Sequence, residues 1–284
     1  DKHALEAVVS PRQVIDVYLA DPALVVPDAV VLTYQRHLLD ELAGRGVKPV
    51  GAPWPRQSFW FSGEKAKVAV VGGCGLGAPA AAIVLEELAA LGVRQFISIG
   101  AAGCLQPDCH FGETVVCTSA IRDEGVSHHC AASEKFSCPS QTLTRRLTQS
   151  LAEQGAGQPR CGPTWTIDAP YRETIAEAQS YRAEGVVCVD MEAAALFTVG
   201  AFRHVDVAAA FVVSDHLLAE EHWTHAFGSQ TLHDGLVRLL DAALQTLDAG
   251  ALRRRVAVAP ALSGWQTIGR GPEGLSEVLL DRSS

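Results

Sequence analysis

The chain has 284 residues, 48% of them hydrophobic, enough to bury a sizeable core and near the upper limit for one domain. Its formal net charge is −9, with acids and bases mixed along the chain, so no basic stripe could track a phosphate backbone and nucleic acid is not an expected partner. No apolar run reaches the roughly 18 to 20 residues of a membrane span, and the N-terminus lacks the basic-then-apolar order of a signal peptide, so a cytoplasmic protein with no membrane partner is expected. The chain opens on Asp1 and its single methionine is Met191, so an initiator and a few residues are expected ahead of it.

In chain order, "LTYQRHLLDELAGRG" (32–46) predicts a helix closed by glycine, "KVAVVG" (67–72) a buried strand and "APAAAIVLEELAALG" (78–92) a second helix. "QFISIG" (95–100) and "ETVVCTS" (113–119) predict two further strands, followed by a helix over "SQTLTRRLTQSLAEQG" (140–155). "VVCVD" (186–190) predicts a strand that meets the helix "MEAAALFTVGAF" (191–202); "VAAAFVVS" (207–214) is the last strand and "SQTLHDGLVRLLDAALQTL" (229–247) the last helix. Continuous apolar strands separated by helices imply an α/β fold, a central sheet covered by helices on both faces. One domain is expected over 1–249, with a C-terminal extension, 250–284, rich in glycine, proline and arginine. The eight cysteines contain no C-x-x-C pair and read mostly as reduced core thiols. Cys109-His110 and His128-His129-Cys130 form the one metal-like constellation, but adjacent ligands on opposite sides of an extended chain do not converge readily, and no metal is expected.

Between the first apolar strand and its helix, "GGCGLG" places Gly73, Gly75 and Gly77 at G-x-G-x-G spacing. A dinucleotide site needs an acid at the end of the next strand, where Ser98-Ile99-Gly100 stands, and a P-loop needs Gly-Lys-Ser/Thr. The remaining reading of the loop by itself is a tight turn. Three more stretches fall at strand ends: "SIGAAGCLQPDCHFGETVVCTSAIRDEG" (98–125), "VVCVDMEAAALF" (186–197) and "FVVSDHL" (211–217). All four point to the carboxyl edge of the sheet, where α/β proteins bind ligands.

Together these stretches resemble the nucleoside phosphorylase family, which includes uridine phosphorylase, the hexameric purine nucleoside phosphorylases and methylthioadenosine nucleosidase. "GLGAPAAAIVLEELAALGV" resembles the family's G-I-G-x-P stretch ending in E-E-L, "VDMEAAAL" its ribose motif and "VVSDHL" the Ser-Asp of its purine-cleaving members. "AIRDEGVSHH" is closer to the uridine phosphorylases. The resemblance covers roughly residues 29–247. It implies cleavage of a nucleoside's N-glycosidic bond, purine preferred, by phosphorolysis, with water as the alternative acceptor. A noncatalytic nucleoside-binding protein is the alternative from another class. No cofactor is implied, phosphate being a co-substrate.

The chemistry passes through a ribosyl cation and leaves negative charge on the base, so the site must grip the sugar, neutralise the base and supply a nucleophile. The resemblance implies that Glu192, with Met191 and Asp190 beside it, binds the ribose; a carboxylate has lone pairs for both vicinal hydroxyls. Glu192 also reads as an acid favoured in a first helical turn. Asp215 is the candidate general acid, its alternative being a helix N-cap. The arginine that supports this aspartate in hexameric relatives is missing from "AEEHWTHAFGSQ". The base is expected near "GPTWTIDAPYRET" (162–174), with Trp165, Asp168, Tyr171 and Arg172 as contacts together with Gly103. Trp165 reads equally as a core aromatic. Phosphate is expected on Arg36, Arg56 and Ser98, although Ser98 and Ala101 stand where the family has an arginine and a threonine. Arg56 resembles an arginine donated by a neighbouring subunit, which implies a homo-oligomer, a dimer or trimer of dimers.

Overall fold

The computed structural model describes residues 2–18, 26–50, 58–62, 68–155, 157–217 and 223–247. Arg56 and the extension 250–284 lie outside these. The strands are β1 (Ala29–Thr33), β2 (Pro49–Val50), β3 (Ser58–Ser62), β4 (Val68–Gly72), β5 (Gln95–Cys104), β6 (Thr114–Asp123), β7 (Phe136–Ser137), β8 (Arg160–Ile167), β9 (Cys188–Asp190), β10 (Asp206–His216) and β11 (Thr224–His225). The helices are α1 (Pro11–Tyr18), α2 (Arg36–Gly44), α3 (Ala78–Leu91), α4 (Gln141–Glu153), α5 (Ile175–Ala183), α6 (Ala193–Arg203) and α7 (Gln230–Leu247).

Apolar side chains alternate through the strands into two cores. Val30 and Leu32 of β1 join α3 and α6 on one face, while Ala29 and Val31 join α2, α4 and α7 on the other. A strand buried on both faces needs no polar face, which is why these runs are uniformly apolar.

The sheet closes on itself at one end. β5 pairs in parallel with β10 and antiparallel with β9, β9 with β8, β8 with β6, and β6 returns antiparallel to β10. From β5 the sheet also continues outward through β1, β4, β3 and β2. β5 is therefore the junction, and its carboxyl end, level with that of β10 (Gly103 beside Asp215), marks the site.

Three expectations change. The helix read over 32–46 begins at Arg36, because "AVVLT" is a strand with every residue buried. The stretch 162–174, expected to meet the base, begins inside strand β8, where Trp165 and Ile167 alternate with Thr164 and Thr166. Cys104 and Cys109 are joined in a disulfide across the turn after β5, whereas Cys117 and Cys188 are free thiols in the core. Among the described residues no group of three His, Cys, Asp or Glu is placed to hold a metal ion, and no helix is long and apolar enough to cross a membrane.

Candidate active site

The carboxyl ends of β5 and β10, the turn after β1, the β9–α6 junction and the start of α5 surround a cavity of about 750 Å³. That volume suits a small molecule.

One end is built on the β9–α6 junction. Glu192 stands at the N-terminus of α6, 6% exposed, and its Oε1 accepts a 2.7 Å hydrogen bond from the Gly77 amide. Gly77 has φ +89°, a conformation that favours glycine, and a β-carbon there would come within 3.9 Å of Met191 Cε. The glycine loop thus turns an amide towards a carboxylate of its own chain. Burial and the neighbouring Asp190 push the Glu192 carboxyl up to about 8, against the pull of the Gly77 and Met191 amides.

Asp190 takes a different part from the one expected. Its Oδ1 accepts from Thr166 Oγ1 (2.7 Å) and Thr164 Oγ1 (3.3 Å), and its Oδ2 from the amides of Glu192 (2.8 Å) and Ala193 (2.6 Å). Four donors fill the acceptor positions of a carboxylate. Asp190 therefore fixes the first turn of α6, and with it Glu192, instead of offering oxygens to a sugar. Burial raises its carboxyl as well. Met191 lines the cavity beside Glu192.

The other end lies where β10 meets β5. A β-carbon at Gly103 would stand 2.3 Å from Leu217 Cδ1 and 3.1 Å from Asp215 Oδ2, so this backbone is close-packed under the aspartate. Asp215 Oδ1 accepts from Ser214 Oγ at 2.7 Å and Oδ2 from Trp223 Nε1 at 3.0 Å. Trp223 in turn touches His225 and Phe227 in an aromatic cluster at the cavity edge. Glu173 also lines the cavity, just ahead of Thr174, whose capping box with Glu177 starts α5. Burial and the nearby charge of Asp215 push its carboxyl up to about 7.

The remaining expected contacts divide. Gly103 and Tyr171 line the cavity, Tyr171 being 99% exposed. Trp165 does not: it is fully buried, tilted against Tyr181, and its Nε1 donates to Asp123 Oδ2 at 2.9 Å. β8 alternation turns it into the core, which corrects its expected role at the base. Asp168 and Arg172 flank a separate depression, where Asp168 Oδ2 accepts from the Gly125 amide at 2.8 Å. Ser98 is buried on β5 with its hydroxyl 3.0 Å from that of Tyr34, and it is Tyr34 that lines the cavity. Arg36 is exposed at the start of α2, and its neighbour Gln35 reaches the cavity wall.

A family model described as "Phosphorylase superfamily" matches residues 29–247. This chain belongs to the phosphorylase superfamily. Among curated relatives, guanosine phosphorylase of Halorubrum lacusprofundi is 31% identical over 145 residues, 51% of this chain and 60% of that protein. The chain thus matches less than two thirds of that relative's length. A purine nucleoside phosphorylase, DeoD-type, of Bacillus cereus is 28% identical over 193 residues, 67% of this chain and 82% of that protein. Among solved structures, uridine phosphorylase of Vibrio fischeri superposes with a TM-score of 0.67 at 24% identity, covering 78% of this chain and 91% of that one. AMP nucleosidase of Bacteroides thetaiotaomicron gives 0.65 at 22% identity, covering 82% and 96%. These two likenesses show the fold.

As a member of the phosphorylase superfamily, the chain is an enzyme of the nucleoside phosphorylase and nucleosidase type. Glu173, Tyr34 and Trp223 are cavity residues that the sequence reading of this superfamily member passed over. Of these, Trp223 carried a signal, since it stands in the segment that lacks the family's arginine and there holds the aspartate.

Proposed function

We propose that this chain cleaves the N-glycosidic bond of a purine nucleoside, with phosphate as the acceptor, to give the free base and ribose 1-phosphate. The observation that carries the proposal is the sharing of one cavity by Glu192 and Asp215, a sugar-binding carboxylate at one end and a base-facing carboxylate at the other. Glu192, fixed through Gly77, accepts the ribose hydroxyls, and that interaction strengthens as positive charge grows on the sugar. The names of the Halorubrum and Bacillus relatives support a purine substrate and a phosphorylase reaction. The acceptor site is completed in this proposal by Arg36 and by Arg56 of a neighbouring copy, the protein being a homo-oligomer.

Hydrolysis has one specific observation in its favour. Among the described residues, the carboxyl-bearing side chains Glu173, Asp190, Glu192 and Asp215 line the cavity without a lysine or arginine, and a phosphate dianion needs cationic donors. Omitting phosphate decides between the two. Phosphorolysis requires that base release stop without phosphate, that ribose 1-phosphate form with it, and that Arg56→Ala cut the rate sharply. Free ribose, released equally fast in phosphate-free buffer, would establish water as the acceptor.

A further inference from the structure

Cleaving a purine nucleoside calls for a proton on the departing base, and two carboxyl groups stand at the base end of the cavity. They are not equivalent. Asp215 has a donor on each oxygen, the Ser214 hydroxyl and the Trp223 indole N–H, so both of its oxygens already serve as acceptors. Glu173 accepts no hydrogen bond from any described residue, and it lines the same cavity as Asp215. With both Asp215 oxygens engaged as acceptors, Glu173 is the one of the two that is free to present an O–H to a base in the cavity.

We propose that Glu173 is a second catalytic carboxyl of this site, the acid that gives its proton to the departing base. This rests on the cleavage of purine nucleosides proposed above. As the C1′–N9 bond breaks, its electron pair passes into the purine ring. The Glu173 O–H bond breaks and its proton joins base N7, while an oxygen of phosphate forms the new bond to C1′. Glu173 is left as a carboxylate and takes a proton from solvent after the base leaves. The upward push on Glu173, from burial first and then from the nearby Asp215, agrees with this order of events. The geometry also explains how a side chain in the polar run "YRET" comes to serve a cavity. The Thr174–Glu177 capping box fixes the backbone immediately after Glu173, which lines the cavity.

The test compares an ordinary purine nucleoside, inosine or adenosine, with its 7-methyl counterpart, whose cationic base leaves without a proton. Glu173→Gln keeps the size of the side chain and removes the acid. It is expected to slow base release from the unmethylated nucleoside by about 10²-fold or more and to leave the 7-methyl nucleoside within about threefold of the unaltered protein. Unchanged release from the unmethylated nucleoside would overturn the proposal. Equal losses on both would also overturn it, making Glu173 a positioning residue. If the unaltered protein released no base from either nucleoside, the proposed function would itself fall, and Glu173's role with it. Thermal unfolding of Glu173→Gln, expected within a few degrees of the unaltered protein, separates a catalytic loss from a folding loss.

Discussion

The two ends of the cavity are built in opposite ways. At the β9–α6 end the carboxylates are tied to the fold: Glu192 to the Gly77 amide, Asp190 to two amides and two threonine hydroxyls. At the β10–α5 end the walls are loop side chains, with Tyr171 99%, Trp223 57% and Phe227 52% exposed, and Glu173 has no partner among the described residues. A sugar common to all nucleosides can be met by a rigid surface joined to the core. A base that differs between them would, in the proposed reaction, be met by side chains that a few substitutions can change. Tight positioning at one end and freedom at the other are therefore complementary, and each can be tested separately.

The largest effect is expected at the rigid end. In the proposed reaction, assayed at pH 9 where the Glu192 carboxyl is ionised, Glu192→Ala removes two charge-assisted hydrogen bonds to ribose at roughly 1.5–3 kcal/mol each, so kcat/KM should fall by about 10³-fold while the far-UV circular dichroism is kept. Turnover equal to the unaltered protein would show that the sugar is held elsewhere.

Next is the dependence of stability on pH. The Glu192 carboxyl ionises near 8 in the folded chain and near its ordinary 4.5 when unfolded, so folding takes up a proton between those values. Stability linked to Glu192 is then complete below pH 4.5 and is lost as pH rises towards 8. Glu192→Gln should remove that slope, stabilising the protein at pH 8 relative to pH 5 by about 2–4 kcal/mol compared with the unaltered chain. Chemical denaturation at the two pH values measures it, and an unchanged difference would mean that Glu192 is ionised in the fold at both.

The smallest effect distinguishes the two tryptophans. Trp165→Phe loses a part-buried hydrogen bond to Asp123 and should cost about 1 kcal/mol of stability with kcat/KM within twofold. Trp223→Phe loses one donor to Asp215 and should lower kcat/KM by about 3- to 10-fold with little change in stability. The reverse pattern would exchange their roles.

What the sequence disclosed follows the same division. Buried strands and their helices were legible because apolar runs bounded by glycine specify them, and Glu192 was legible as a charge at the end of such a run. The role of Asp190 was hidden, since two of its four donors come from β8, a strand that "GPTWTIDAPYRET" disguises with glycine and two prolines. Trp165 and Ser98 were placed at the site by their position along the chain, but the alternation within β8 and the Tyr34 phenol remove them from it. Glu173 stood among Tyr171, Arg172 and Thr174, where a carboxylate reads as a solvated charge. Only the turn before α5 brings it to Asp215.

The bond from Gly77 to Glu192 joins residues 115 apart in sequence. Contacts of such separation form late, because the chain between them loses its freedom before the contact gives anything back. A nascent or refolding chain can therefore regain its local helices well before it can grip a sugar. On dilution from denaturant, the helical signal should return first and nucleoside cleavage afterwards, as the loop after β4 closes onto the start of α6.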